Sequence, residues 1–207
     1  MKILFSLTIF FLTSHFSHGQ TTSNDKIKDL YHVTYDKLDK EFNLDKNRDI
    51  EFRLWTNPSL VFYRNCFILT KRDSVWNARF FEFKGGQKGN WVETKTKTTN
   101  LDSIWKKLIR NQLLTLPTQD SLNNRMRIFA ADSTLIYYDE DDVYKKVLVD
   151  DGTIYTFQIK TKNIDRTYQY HSPVAYLRHN PNIEELYRAY AIISIIRKYL
   201  GIPLENE

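Results

Sequence analysis

The spacing of apolar residues changes period repeatedly along the chain, and each change predicts an element. Ile27, Leu30, Tyr31, Tyr35, Leu38 and Phe42 recur at three- and four-residue intervals among Lys and Asp, the stripe of an amphipathic helix. At Ile50 the period drops to two. Ile50, Phe52 and Leu54 alternate with Glu51, Arg53 and Trp55, which predicts a strand with two unlike faces. Asn57-Pro58-Ser59 turns the chain into Leu60–Thr70, apolar at most positions and so a central strand. Lys71–Ser74 leads into a strand over Val75–Lys84. Gly85–Gly89 leads into another over Trp91–Thr98, whose lysines suit a sheet edge.

Asn100-Leu101-Asp102 opens a second helix, with Asn100 or Asp102 as its cap, Trp105, Leu108, Ile109 and Leu113 as its buried stripe, and Pro117 as its stop. A second strand group follows: Met126–Phe129, Thr134–Tyr138, Val143–Val149, Thr153–Lys160 and Arg166–His171. Asp139–Asp142 is a turn. Asp151-Gly152 carries the two-residue signal of a type I′ hairpin. Pro181–Leu200 is the last helix, with Gly201 as its C-cap and Pro203 beyond it. Its apolar face is the broadest of the three, which predicts that it packs across the sheet. The expected class is α+β: a mainly antiparallel sheet of about eight or nine strands in two groups, with three helices.

Ahead of the first helix the pattern is of another kind. Lys2 precedes an apolar run, Ile3–Leu12, broken only by Ser6 and Thr8, and Ser17-His18-Gly19 follows. A charged start, an apolar middle and small residues at the cleavage positions make residues 1–19 a secretory signal peptide, with cleavage predicted between Gly19 and Gln20. The leader resembles those of exported bacterial proteins. Residues 20–24 are expected to be disordered and 25–204 to form a single α+β domain, periplasmic or secreted. Cys66 is the only cysteine, so no internal disulfide can form, and no cysteine near the cleavage site is placed to carry a lipid.

Composition adds exclusions. The chain is 42% hydrophobic and 14% aromatic, which excludes a disordered protein. A net charge of +5, or +4 without Lys2, with both signs mixed throughout, argues against nucleic acid as a partner. After the leader the longest apolar run is Ala189–Ile196, short of the ~20 residues that span a bilayer, so no stable membrane insertion is expected after cleavage.

Familiar chemical signatures are missing. There is no G-x-S-x-G elbow, no H-E-x-x-H helix and no dinucleotide fingerprint. Gly85–Gly89 joins two strands, whereas a phosphate cradle needs a helix N-terminus. His32, His171 and His179 have no metal-ligand spacing, and Asp139–Asp142 lacks the glycine and spaced oxygens of a calcium loop. No metal or cofactor is expected, and no catalytic set stands out. Cys66, inside Val61–Leu69, reads as a small buried hydrophobe.

One constellation points to binding. Arg53 and Trp55 share a strand face by parity, Arg64, Trp76 and Arg79 lie on the next two strands, and Arg166, Tyr168 and Tyr170 share a face near the far end. Arg with Trp and Tyr on a sheet face suits an anionic or sugar-like ligand, or a protein partner, because these residues are the usual interface anchors. The expectation is a non-enzymatic exported domain that binds a ligand or a protein, as an inhibitor or immunity protein does. The alternative is an envelope or extracellular hydrolase with scattered catalytic residues.

Overall fold

The computed structural model describes residues 40, 42, 47–58, 65–84, 90–96, 99–129, 144–146, 149 and 152–202, with 127–129 and 144–146 given by backbone alone. The chain divides into residues 1–45 and residues 46–207, and every element named below belongs to the second unit. The expected signal peptide (1–19), the expected 20–24 tail, Arg64, the expected Gly85–Gly89 loop, the expected Thr134–Tyr138 strand and the expected Asp139–Asp142 turn lie outside the described residues. So does the first helix apart from Lys40 and Phe42.

The fold is α+β. Six strands form one antiparallel sheet: β1 (Ile50–Pro58), β2 (Asn65–Arg72), β3 (Val75–Lys84), β4 (Asn90–Thr94), β7 (Thr153–Thr161) and β8 (Asp165–His171), in the order β4-β3-β2-β1-β7-β8. The short strands β5 (Arg127–Phe129) and β6 (Tyr144–Lys146) pair with each other. Among the described residues the full helices are α1 (Leu101–Arg110), α2 (Pro173–His179) and α3 (Glu184–Leu200), and a 3-10 turn spans Gln119–Leu122. The first four strands are sheet neighbours in chain order, and β4 takes the expected edge, although it ends at Thr94 and so stops short of the lysines in the strand expected over Trp91–Thr98.

The two strand groups do not stay apart. The long connection after β4 returns the chain to the middle of the sheet, where β7 pairs with the free side of β1. Arg53 of β1 therefore stands opposite Ile68 of β2 on one side and Gln158 of β7 on the other. The hairpin expected across Asp151-Gly152 is not formed. β6 pairs with β5, and β7 has β1 and β8 as neighbours. Gly152 serves close approach instead: a Cβ there would lie 1.9 Å from Ser172 Oγ. That hydroxyl accepts a 2.9 Å bond from Thr153 N–H, and Ser172 N–H donates to the Thr153 carbonyl at 2.8 Å, closing the β7–β8 pair.

Local chemistry shifts the helix boundaries. Asn100 occupies the N-cap of α1 with φ 64°, but neither it nor Asp102 makes a side-chain cap bond. Pro173 starts α2, a helix not predicted between the Arg166–His171 strand and the last helix, because proline is pre-organised for the first helical turn. Pro181 falls in the turn between α2 and α3, so α3 begins at Glu184. Its C-cap is Gly201 at φ 72°, as predicted.

The core fills one side of the sheet. Phe52, Leu54, Phe67, Leu69, Ala78 and Phe80 of β1–β3 join Tyr155, Phe157 and Ile159 of β7 against Leu101, Ile104 and Leu108 of α1 and Leu186, Ala189, Ile192, Ile193 and Ile196 of α3. Tyr199 of α3 meets Phe67 edge-on at 5.8 Å, so the last helix lies across the sheet.

Candidate functional site

The strand pleat sends Glu51, Arg53 and Trp55 to the sheet face opposite the core, together with Cys66 and Ile68 of β2, and Arg79, Phe81 and Phe83 of β3. The centre of this outer face is buried. Arg53 is 1% exposed and Glu51 6%, and Arg53 Nε lies 2.5 Å from Glu51 Oε1. Arg48 reaches the other oxygen of the same carboxylate. A buried guanidinium is tolerable only when paired, so Glu51 is the condition for Arg53 standing there. Cys66 is fully buried beside them, and burial pushes its thiol well above the ordinary range, with Arg53 a weaker opposing influence. It is a protonated, inert core group.

Towards the end of β1 the outer face changes character. Trp55 is half-buried, and its indole N–H donates to Gln158 Oε1 at 2.6 Å. Its ring meets Trp91 of β4 edge-on at 5.8 Å, and Trp91 meets Phe83 at 5.3 Å. Cys66 stands opposite both Trp55 and Phe81, and its small side chain leaves the space above β2 to the larger rings. Beside this cluster Arg79 grips Glu93 with two hydrogen bonds of 2.7 Å, and its guanidinium lies 4.7 Å from the Phe81 ring centre. The bidentate bond from Arg79 holds the Glu93 carboxyl below its usual range. The result is a half-exposed patch of three aromatic rings with a fixed, charged rim.

The other nominated residues sit on the core side and serve the fold. Trp76 packs on Trp105 of α1 at 5.5 Å, with Lys71 over its ring. Arg166, Tyr168 and Tyr170 of β8 all reach the loop that follows α1. Arg166 donates to the carbonyls of Leu114 at 2.7 Å and Leu116 at 2.5 Å. Tyr168 donates to Leu113 and Tyr170 to Pro117, each at 2.8 Å. A helix end leaves carbonyls without partners, and these three side chains satisfy those just beyond α1. Burial raises both phenols far above their ordinary range, so they remain donors at any physiological pH.

The structure thus divides the nominated set. Arg53, Trp55 and Arg79 share the outer face, Trp76, Arg166, Tyr168 and Tyr170 share the core face, and Arg64 lies outside the described residues. Trp91, Phe83 and Glu93 were missed. Their parity was legible, since Trp91 falls on the same side of its strand as Glu93, but which strand faces came together depended on the sheet order.

His171 and His179 do not assemble a metal site. His171 packs near Tyr176, and among the described residues no group of three metal-ligating side chains gathers. A cavity of about 60 Å³ opens between the end of α3 and the ends of β1 and β2, walled by Leu54, Phe67, Phe80, Ile193 and Ile196. Small-molecule sites occupy roughly 300 Å³ or more, so this cavity is a packing gap at the core margin. No helix among the described residues is long and apolar enough to cross a membrane. No protein-family model and no curated protein sequence matches the chain.

Proposed function

We propose that the chain is an exported, non-enzymatic binding domain that engages a protein partner through the Trp55–Phe83–Trp91 patch, in the manner of an inhibitor or immunity protein. The observation that carries this reading is the patch itself. Three aromatic rings within 6 Å of a neighbour stand half-exposed on a rigid sheet, beside an Arg–Glu pair already fixed in geometry. Aromatic anchors that lose little entropy on docking, ringed by polar groups, are what concentrate binding energy in an interface.

Four polar or nucleophilic groups on or beside the nominated residues are engaged elsewhere. Cys66 is buried and protonated, Glu51 is held by two arginines, and Tyr168 and Tyr170 donate to main-chain carbonyls. Of the nominated residues, this reading assigns partner contact to Trp55 and Arg79, adds Phe83, Trp91 and Glu93, and gives Arg53 the task of supporting the sheet beneath them.

The test is differential capture. Immobilised chain and its Trp91→Ala and Arg79→Ala variants are exposed to the same envelope extract, with Val75→Ala, a change at an exposed site away from the patch, as control. A partner retained by the parent and the control but lost from both patch variants supports the assignment. Equal retention by all four excludes the patch.

A further inference from the structure

The outer edge of β4 carries a self-complementary pattern. The turn between β2 and β3 has two residues, Asp73 and Ser74, both with positive φ (46° and 68°), and Arg72 and Val75 close it as a pair. Such a closing pair exchanges both of its main-chain bonds, and bonded pairs then alternate along the ladder. From that count Val75, Asn77, Arg79 and Phe81 bond towards β2, while Phe80 and Glu82 bond towards β4, where they face Thr94 and Val92. Glu93 therefore directs its N–H and C=O groups away from β3, at a sheet edge that no other described strand covers, and Lys95, one residue beyond the end of β4, continues the alternation.

Both residues are exposed there. Lys95 makes no ion pair among the described residues. Both oxygens of the Glu93 carboxylate accept from Arg79, which fixes its direction, and the side chain is still 44% exposed. Lysine on an edge strand ordinarily keeps another strand away. Here it is followed two residues back by a fixed carboxylate of opposite sign on the same face.

We propose that β4 is a self-association edge, with two copies of the chain pairing antiparallel about a two-fold axis through Thr94. In that register Glu93 of each copy stands opposite Lys95 of the other, as a bonded pair that exchanges two main-chain hydrogen bonds. The symmetry supplies the same pair twice. The alternative dyad at Glu93 would set two carboxylates face to face, which opposes pairing. The product is one continuous sheet through both copies, and the exposed Val92 comes opposite Thr96 of the second copy.

Sedimentation of the purified chain from about 1 µM to about 1 mM tests this, and the expected result is a reversible monomer–dimer equilibrium weakened by salt. Lys95→Glu and Glu93→Lys, each alone, should weaken the dimer by at least about tenfold, because each sets like charges opposite one another twice. An equimolar mixture of the two variants should dimerise again, since it restores both opposite-charge pairs. Lys95→Pro should also give a monomer, because it removes an outward N–H while taking no bond from β3. Circular dichroism matching the parent establishes that each variant is folded. If a variant fails that check, amide exchange on the parent decides: Glu93 and Lys95 should gain protection as concentration rises. A parent that stays monomeric throughout, a Lys95→Pro chain that dimerises like the parent, or a variant mixture that does not reassociate would overturn the proposal. Because the readout is self-association, its outcome is independent of partner capture by the aromatic patch.

Discussion

Tyr168→Phe isolates one hydroxyl. The ring is fully buried, stacks on Phe157 at 4.9 Å and 7°, and has the Arg166 guanidinium 4.8 Å from its centre. Phenylalanine keeps all of that packing. What disappears is the 2.8 Å bond to the Leu113 carbonyl, and Leu113 is itself completely buried. Losing a buried donor while its acceptor stays behind costs about 1–3 kcal/mol, more than the ~1 kcal/mol of an average bond. In a domain of this size each kcal/mol lowers Tm by about 2–4 °C, so a fall of roughly 2–12 °C is expected. Urea unfolding should show the midpoint shifted with the slope unchanged, because the surface exposed on unfolding is the same. Tyr170→Phe removes a second bond to the same loop, at Pro117. If β8 holds that loop as a unit, the double variant should cost less than the two single costs together, by at least about 0.5 kcal/mol. A Tyr168→Phe loss below about 0.3 kcal/mol would refute the latch, since that is the range of an uninvolved surface site.

Three further outcomes follow from the same geometry. Gly152→Ala should destabilise the chain by about 1–3 kcal/mol in the same urea assay, because the new methyl would meet Ser172 Oγ and Cβ and the His171 ring at the end of β8; parent-like stability would show that this corner gives way freely. Glu93 has its folded pKa depressed by Arg79, so the stabilisation it lends is complete above its ordinary value of 4.5 and is lost as pH falls through the lower folded value. Glu93→Gln should therefore flatten the stability–pH curve below about pH 4.5, modestly because the pair is partly exposed, and leave neutral-pH behaviour of the remaining carboxylates unchanged. Cys66 should resist a thiol reagent at pH 8 until the chain is unfolded, and rapid modification of the native protein would contradict its burial and raised pKa.

Much of this protein follows from local pattern. The two-residue alternation at Ile50–Trp55, the strand over Val75–Lys84, the apolar stripe of α3 and the Gly201 cap are all properties of near neighbours, and each appears where the pattern places it. Parity alone put Arg53 and Trp55 on one face, because a strand sends successive side chains to opposite sides whatever it pairs with. The edge position of β4 was legible in Lys95 and Lys97, which follow it in the chain.

Partnership across long separations was not legible. That β7 would insert beside β1, rather than fold back on β6, depends on which of several apolar strands buries more surface there, a comparison between segments about a hundred residues apart. The same decision made Gln158 the partner of Trp55 and placed Tyr168 and Tyr170 over the loop after α1. An arginine or tyrosine alternating with apolar residues reads the same whether it faces a ligand or a main-chain carbonyl. Sequence determined which residues share a face. Only the tertiary structure decided that Arg166, Tyr168 and Tyr170 spend their polar groups on the fold, and that Trp55, Phe83 and Trp91 meet on the outer face, because hydrogen-bond partners and ring contacts are set by sheet order.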